Sequence, residues 1–210
     1  MLVVHTAMLR EFRLAPSAVA RVRAGDSRQA AVVDRHIGFV SDLLHHHHTG
    51  EAAHLWPPLR ERLPDDALPL LEQAEAQHAA LDDCIEAVAA NRRAWTADPD
   101  RATRDRLVNS LRRLHVLLVE HLDAEERTLL PFAAALLTKP EWDAIGAAAV
   151  AALPKPAMPL VFGMFAYEGD PEVLATMLHN APAPARLLVP RIAPRVYARR
   201  AAQVYGTARP

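Results

Sequence analysis

Apolar side chains return every third or fourth residue from Leu2 to about Arg23, the spacing of a helix with one buried face. Gly25 and Asp26 then supply a stop followed by a cap. A second long helix is predicted from about Ser27 to Trp56. Pro57 and Pro58 end it, because their rings lack the amide hydrogen that a helix interior uses. After a short helical turn to Leu63, "LPDDALP" (63–69) opens a third helix reaching about Trp95. "TADPD" (96–100) separates it from a fourth, from about Asp100 through Pro131 to Leu137. Four helices joined by short connections predict an all-α, up-down-up-down four-helix bundle over residues 1–140.

The remainder, 141–210, reads as a C-terminal helical extension. A short Ala-rich helix follows Pro140, "LPKPAMP" (153–159) reads as a stiff linker, and helical stretches are expected around 171–179 and 184–205. From Pro171 onward this tail carries six Arg and one acid, Glu172. Such a basic tail suits packing against the bundle, a solvated face, or contact with an acidic partner.

Composition supports helices. Hydrophobic residues make up 51% of the 210, aromatic ones only 5%, and there are 7 Gly, so the apolar content is mostly Ala, Leu and Val. A net charge of -1 gives no electrostatic case for a nucleic-acid partner or an anionic membrane. The most apolar region, 144–165, contains Lys155 and three prolines, which argues against a membrane span. The single Cys84 forms no internal disulfide, and "MLVVHTAMLREF" lacks the pattern of a secretory signal, so a cytoplasmic location is expected.

The chemistry lies in an internal repeat. "HHTGEAAHLWP" (47–57) and "HLDAEERTLLP" (121–131) share a His, a Glu four residues later and a Pro ten residues after the His. His5 precedes His47 by 42 residues, and His78 precedes His121 by 43. The chain therefore holds two copies of a helix pair, each with one His on its first helix and His-x-x-x-Glu on its second. Residues four apart on a helix differ by about 40° in azimuth and about 6 Å in height, so each His-Glu pair shares a face.

Packed about a pseudo-twofold axis, the copies would aim His5, His47, Glu51, His78, His121 and Glu125 at one point. Burying these groups uncompensated costs several kcal/mol for each unpaired charge. A pair of divalent ions with a bridging oxide or hydroxide removes that cost. Imidazole and carboxylate without thiolate suit iron, manganese or zinc. His54, seven residues after His47, and Glu126 are further candidate ligands. Within the histidine run, His45, His46 and His48 point to other faces if His47 points inward, most of them solvated or packed and one a candidate to support a ligand. Glu75 is either a support for His78 or an exposed helical acid, and a tyrosine ligand would require the tail to fold over the centre.

On these residues the sequence resembles the hemerythrin-like, HHE cation-binding proteins, bacterial members especially, over roughly residues 2–137. That resemblance implies a bundle holding a non-haem di-iron centre that meets dioxygen, peroxide or nitric oxide. Oxygen-carrying members place a further His where this chain has Ala74, and use a carboxylate matching Glu126; the repeat instead favours Glu125. The missing His implies a more open centre suited to peroxide or nitric oxide, in an oxidoreductase or scavenger. The alternative is a protein that binds, senses or stores oxygen or iron without turnover.

Overall fold

The computed structural model describes residues 1–179 and 183–210, and the part of the expected tail at 180–182 lies outside the described residues. Four long helices form the bundle: α1 (Leu2–Ala20), α2 (Ser27–His54), α4 (Leu68–Ala97) and α5 (Arg101–Leu136), with the short α3 (Trp56–Arg62) between the second and third. Contacts run from α1 to α2, α2 to α4, α4 to α5 and α5 back to α1, which closes the ring.

Local sequence fixes the helix ends. Gly25 takes a φ of 83°, open to glycine without steric cost, and its N–H donates to Pro99 O at 3.0 Å, tying the α1–α2 turn to the α4–α5 turn. Asp26 then caps α2 by accepting from the Gln29 N–H at 2.9 Å, and Asp100 caps α5 by accepting from the Thr103 N–H at 2.7 Å. Pro57 and Pro58 sit in the first turn of α3, where no intrahelical amide bond is lost. On α5 the buried residues Leu107, Leu111, Leu114, Leu118, Leu122, Leu129 and Ala133 follow the helical period, and His121 and Glu125 fall within the same stripe.

Two apolar clusters lie at different heights. One is built on Leu44, Leu81, Leu118 and Leu122, the other on Leu55, Leu71, Ala74 and Leu129. On α2, α4 and α5 the repeated His and Glu positions fall between residues of the first cluster and residues of the second. The polar residues therefore form a layer sandwiched between two dry ones.

Beyond the bundle, α6 spans Lys139–Ala152, a 3-10 turn covers Lys155–Ala157, and α7 (Met158–Glu168), α8 (Pro171–Met177) and α9 (Ala183–Tyr205) follow. Helix α7 begins inside the stretch expected to be a linker. Its residues Leu160 to Phe165 are all buried, so it carries no polar face and shows no amphipathic period from which to read a helix. The apolar region at 144–165 is broken between α6 and α7, whose axes turn by 100°. Among the described residues, no single helix is long and apolar enough to cross a membrane.

Helices α7 and α9 pack on each other and on α1, and α9 also reaches α2. Gly163 permits the α7–α9 approach, since a Cβ there would collide with Ala193 O and Tyr197 Cβ. A buried polar cluster holds this assembly to the bundle. The Glu11 carboxylate accepts from Tyr197 Oη at 2.7 Å, Tyr205 Oη at 2.5 Å, His36 Nε2 at 2.8 Å and Arg10 Nη2 at 2.9 Å. Arg10 also donates to Met164 O and Glu168, and its guanidinium lies 4.8 Å from the Tyr167 ring centroid and 5.0 Å from that of Tyr197.

Candidate metal centre

The six residues of the repeat converge. His5 comes from the first turns of α1, His47 and Glu51 from α2, His78 from α4, and His121 and Glu125 from α5. His5 Nε2 lies 3.1 Å from His47 Nε2, and His78 Nε2 lies 3.0 Å from His121 Nε2, so the imidazoles form two pairs. The carboxylates stand between them. Glu51 Oε1 is 3.1 Å from His47 and its Oε2 is 3.5 Å from His78, while Glu125 Oε2 is 3.7 Å from His5 and 3.9 Å from His121. Each glutamate thus touches both pairs.

Two neighbouring side chains settle which ring nitrogens face inward. His5 Nδ1–H donates to Glu126 Oε1 at 2.8 Å, and His121 Nδ1–H donates to Gln77 Oε1 at 3.1 Å. With the proton held on Nδ1, the Nε2 lone pair of each ring points into the cluster. Burial keeps the imidazoles neutral: it pushes His5 and His78 down to about 3 and His121 to about 4, with His47 also held well below its ordinary value.

The carboxylates are strained in the opposite sense. Burial, reinforced by the charge of Glu125, raises the Glu51 carboxyl well above its ordinary value, and burial raises Glu125 to about 7. All four of their oxygens are buried without a hydrogen-bond partner. Buried carboxylate oxygens are costly to leave unpaired, and among the described residues no Lys or Arg forms an ion pair with either glutamate. The donor set calls for a cation.

The family model that matches this chain is that of the hemerythrin HHE cation-binding domain, over residues 1–133. The chain belongs to the hemerythrin HHE cation-binding family. No curated protein and no solved structure matches it. The geometry fits the cation binding that the family's description names. His5, His47, Glu51 and Glu125 form one group whose donor atoms all lie within 4.8 Å of one another, and His78 and His121 belong to a second such group. Cis donors around an ion held at roughly 2.0–2.1 Å sit roughly 3 Å apart, which matches both imidazole pairs.

The third member of that second group is His48, which spacing alone turned away from the centre. His48 is only 3% exposed, and its ring stacks on that of His78 at 4.0 Å with an interplanar angle of 21°. Its neighbours His45 and His46 are exposed as expected. His54 is a correction. It is exposed at the last residue of α2, and seven residues from His47 amount to about 10 Å along the axis, beyond reach of the cluster. Glu126 is placed as a partner of His5 Nδ1, its side chain 33% exposed.

Glu75 does not support His78, for it pairs with Arg60 on α3. Gln77 takes the supporting role instead, reaching across from α4 to α5. The tail does fold onto the bundle, yet Tyr197 and Tyr205 bind Glu11, while Tyr167 Oη donates to Pro210 O at 2.8 Å. Cys84 is buried in the first apolar cluster.

Proposed function

We propose that this protein is a non-haem di-iron oxidoreductase or scavenger whose first substrate is hydrogen peroxide, with nitric oxide as a second. In this reading His5 and His47 would hold one ion and His78 and His121 the other, with Glu51 and Glu125 within reach of both. The observation that carries it is the set of four orphaned carboxylate oxygens, enclosed by imidazoles whose lone pairs face them.

Two iron ions bound there would supply the Lewis acidity and redox capacity by which peroxide is converted to water and dioxygen. The chain's own residues do the rest. Glu126 and Gln77 fix the tautomers of His5 and His121, so the donors need no rearrangement when metal arrives. Trp56, its ring 4.4 Å from that of His78, and the apolar layers above and below exclude bulk water. Glu126 joins the buried His5 to solvent and can exchange a proton at its Oε1.

The test is anaerobic reconstitution with ferrous iron, followed by measurement of iron per chain and of dioxygen released from peroxide. The expected result is two iron ions per chain and dioxygen release above that of equimolar free iron, absent from the His47→Ala/His121→Ala double variant. Protein that binds iron but turns over no faster than free iron would overturn the peroxide assignment. A stable oxygenated spectrum that reverses on degassing would then identify a binding or sensing protein.

A further inference from the structure

We infer that the outward face of α9 docks on an anionic lipid bilayer, with Arg191, Arg195 and Arg199 meeting lipid phosphates while Leu187, Leu188 and Ile192 enter the headgroup boundary. The metal centre plays no part in it, and the surface concerned is the side of the tail turned away from the bundle.

Helix geometry divides α9 into two sides. With consecutive residues about 100° apart around the axis, Leu187, Leu188, Arg191, Ile192, Arg195 and Arg199 fall within an arc of about 140°. Ala193, Tyr197, Ala201 and Val204 fall on the opposite side and are buried, and contacts with α7, α1 and α2 hold α9 there. All six residues of the arc are exposed, Leu187 to 61%, Leu188 to 53% and Ile192 to 44%. Leu178, just past α8, shares a small buried cluster with Ala193, so α8 adjoins the first half of α9, and it exposes Val173 and Met177. Half of the ten large apolar side chains that stand exposed among the described residues thus lie on these two helices, a concentration that marks an interaction surface.

The charge on this face is unneutralised. Helix α9 contains five Arg and no Asp or Glu. Among the described residues no carboxylate forms an ion pair with Arg191, Arg195 or Arg199. Arg191 Nη1 donates to Leu187 O at 2.6 Å and Arg195 Nη1 to Arg191 O at 2.7 Å, bonds within their own helix. The net charge of -1 on the whole chain does not oppose docking, because exposed charges further than about 8 Å away are largely screened at physiological ionic strength and the bilayer meets the local cations. Leucines and arginines interleaved on one convex face fit a bilayer, whose phosphates border an apolar interior: the aliphatic stems follow the leucines inward while the guanidinium groups stay at phosphate level. Nucleic acid would leave Leu187, Leu188 and Ile192 without a partner, and the aromatic rings that stack on bases are turned away, since Tyr197 and Tyr205 face Glu11.

The experiment is cosedimentation of the full chain with vesicles of equal parts phosphatidylcholine and phosphatidylglycerol, against vesicles of phosphatidylcholine alone. The wild type should sediment with the anionic vesicles only, and more weakly as salt rises from about 0.05 to about 0.5 M. The triple variant Arg191→Gln/Arg195→Gln/Arg199→Gln should bind on the order of a hundredfold more weakly, at about fivefold for each Arg. Leu187→Ser/Leu188→Ser/Ile192→Ser should also lose binding, which a purely ionic contact would not. All six side chains are exposed, so both variants should keep the wild-type thermal melt by circular dichroism; if one unfolds, the other decides together with the salt and lipid dependence of the wild type. Equal binding to both kinds of vesicle, or binding to neither, would overturn the docking. Binding to duplex DNA that the Leu187→Ser/Leu188→Ser/Ile192→Ser variant keeps unchanged, with no vesicle binding, would give the face to nucleic acid instead. Self-association in sedimentation velocity that this variant abolishes, again with no vesicle binding, would give it to a second copy of the chain.

Discussion

Replacing Glu11 by Gln should cost about 3 kcal/mol of folding stability and loosen α7 and α9 from the bundle. The side chain is fully buried and receives hydrogen bonds from Arg10, His36, Tyr197 and Tyr205. Burial alone would raise its pKa. The hydrogen bond and charge of His36, with Arg10 and Tyr205 adding to them, overcome burial and hold the carboxyl at about 2 instead of 4.5. At about 1.4 kcal/mol per tenfold change in acidity, that difference corresponds to about 3 kcal/mol favouring the folded, ionised form. An independent route gives a similar size: removing one partner from a buried ion pair typically costs about 3–5 kcal/mol. For a chain of this length the melting temperature should fall by about 2–4 °C per kcal/mol, hence about 6–12 °C.

Glutamine has the shape of the protonated acid, so the variant also isolates the titration. A carboxylate whose folded pKa lies below its unfolded value contributes stability above the unfolded value and loses it as pH falls through the folded one. Urea melts followed by circular dichroism should show a constant gap between wild type and Glu11→Gln from pH 7 to about 5. The gap should then shrink between pH 4.5 and about 2. Hydrogen exchange at pH 7 should rise first in α7 and α9. A gap under about 0.5 kcal/mol at pH 7, or one that widens in acid, would refute the assignment of Glu11 as the ionised anchor of the tail.

The remaining predictions concern the centre and the packing around it. Glu126→Ala and Gln77→Ala should each lower iron affinity about 10- to 100-fold without abolishing it, since each holds a ligand's tautomer; isothermal titration of the metal-free protein measures this. His54→Ala should leave iron content and peroxide turnover unchanged, because His54 is exposed at the end of α2. Gly163→Ala should destabilise by about 1–3 kcal/mol in chemical denaturation, as the added methyl must push α7 away from Ala193 and Tyr197 on α9.

Which residues could be read from sequence follows from how each is positioned. His5, His47, Glu51, His78, His121 and Glu125 were legible because a repeat with fixed offsets places them and a helix converts offsets into faces. His48 was not. The argument that a neighbour of His47 must face away assumes one buried face, and α2 has two, one towards α1 and one towards α4. The four-histidine run thus spans two buried faces and an exposed one, and only the packing of α4 distinguishes the buried His48 from the exposed His46.

Gln77 was hidden for a related reason. Glu75 is the acid at helical spacing from His78, but the ring that needs a partner belongs to His121 on α5, and reach across an interface has no local spacing. The tail obeys the same logic. Nothing near Tyr197 or Tyr205 in sequence signals an acid, because theirs lies 186 and 194 residues away. One clue was available on α1: Glu11 and Arg10 interrupt a run whose other members, Met8 and Phe12, belong to the buried stripe. A carboxylate on a buried stripe requires donors. Those donors come from outside the repeated motif, whose histidines converge on the candidate metal centre, and Arg10, His36 and the two tail tyrosines are what supply them.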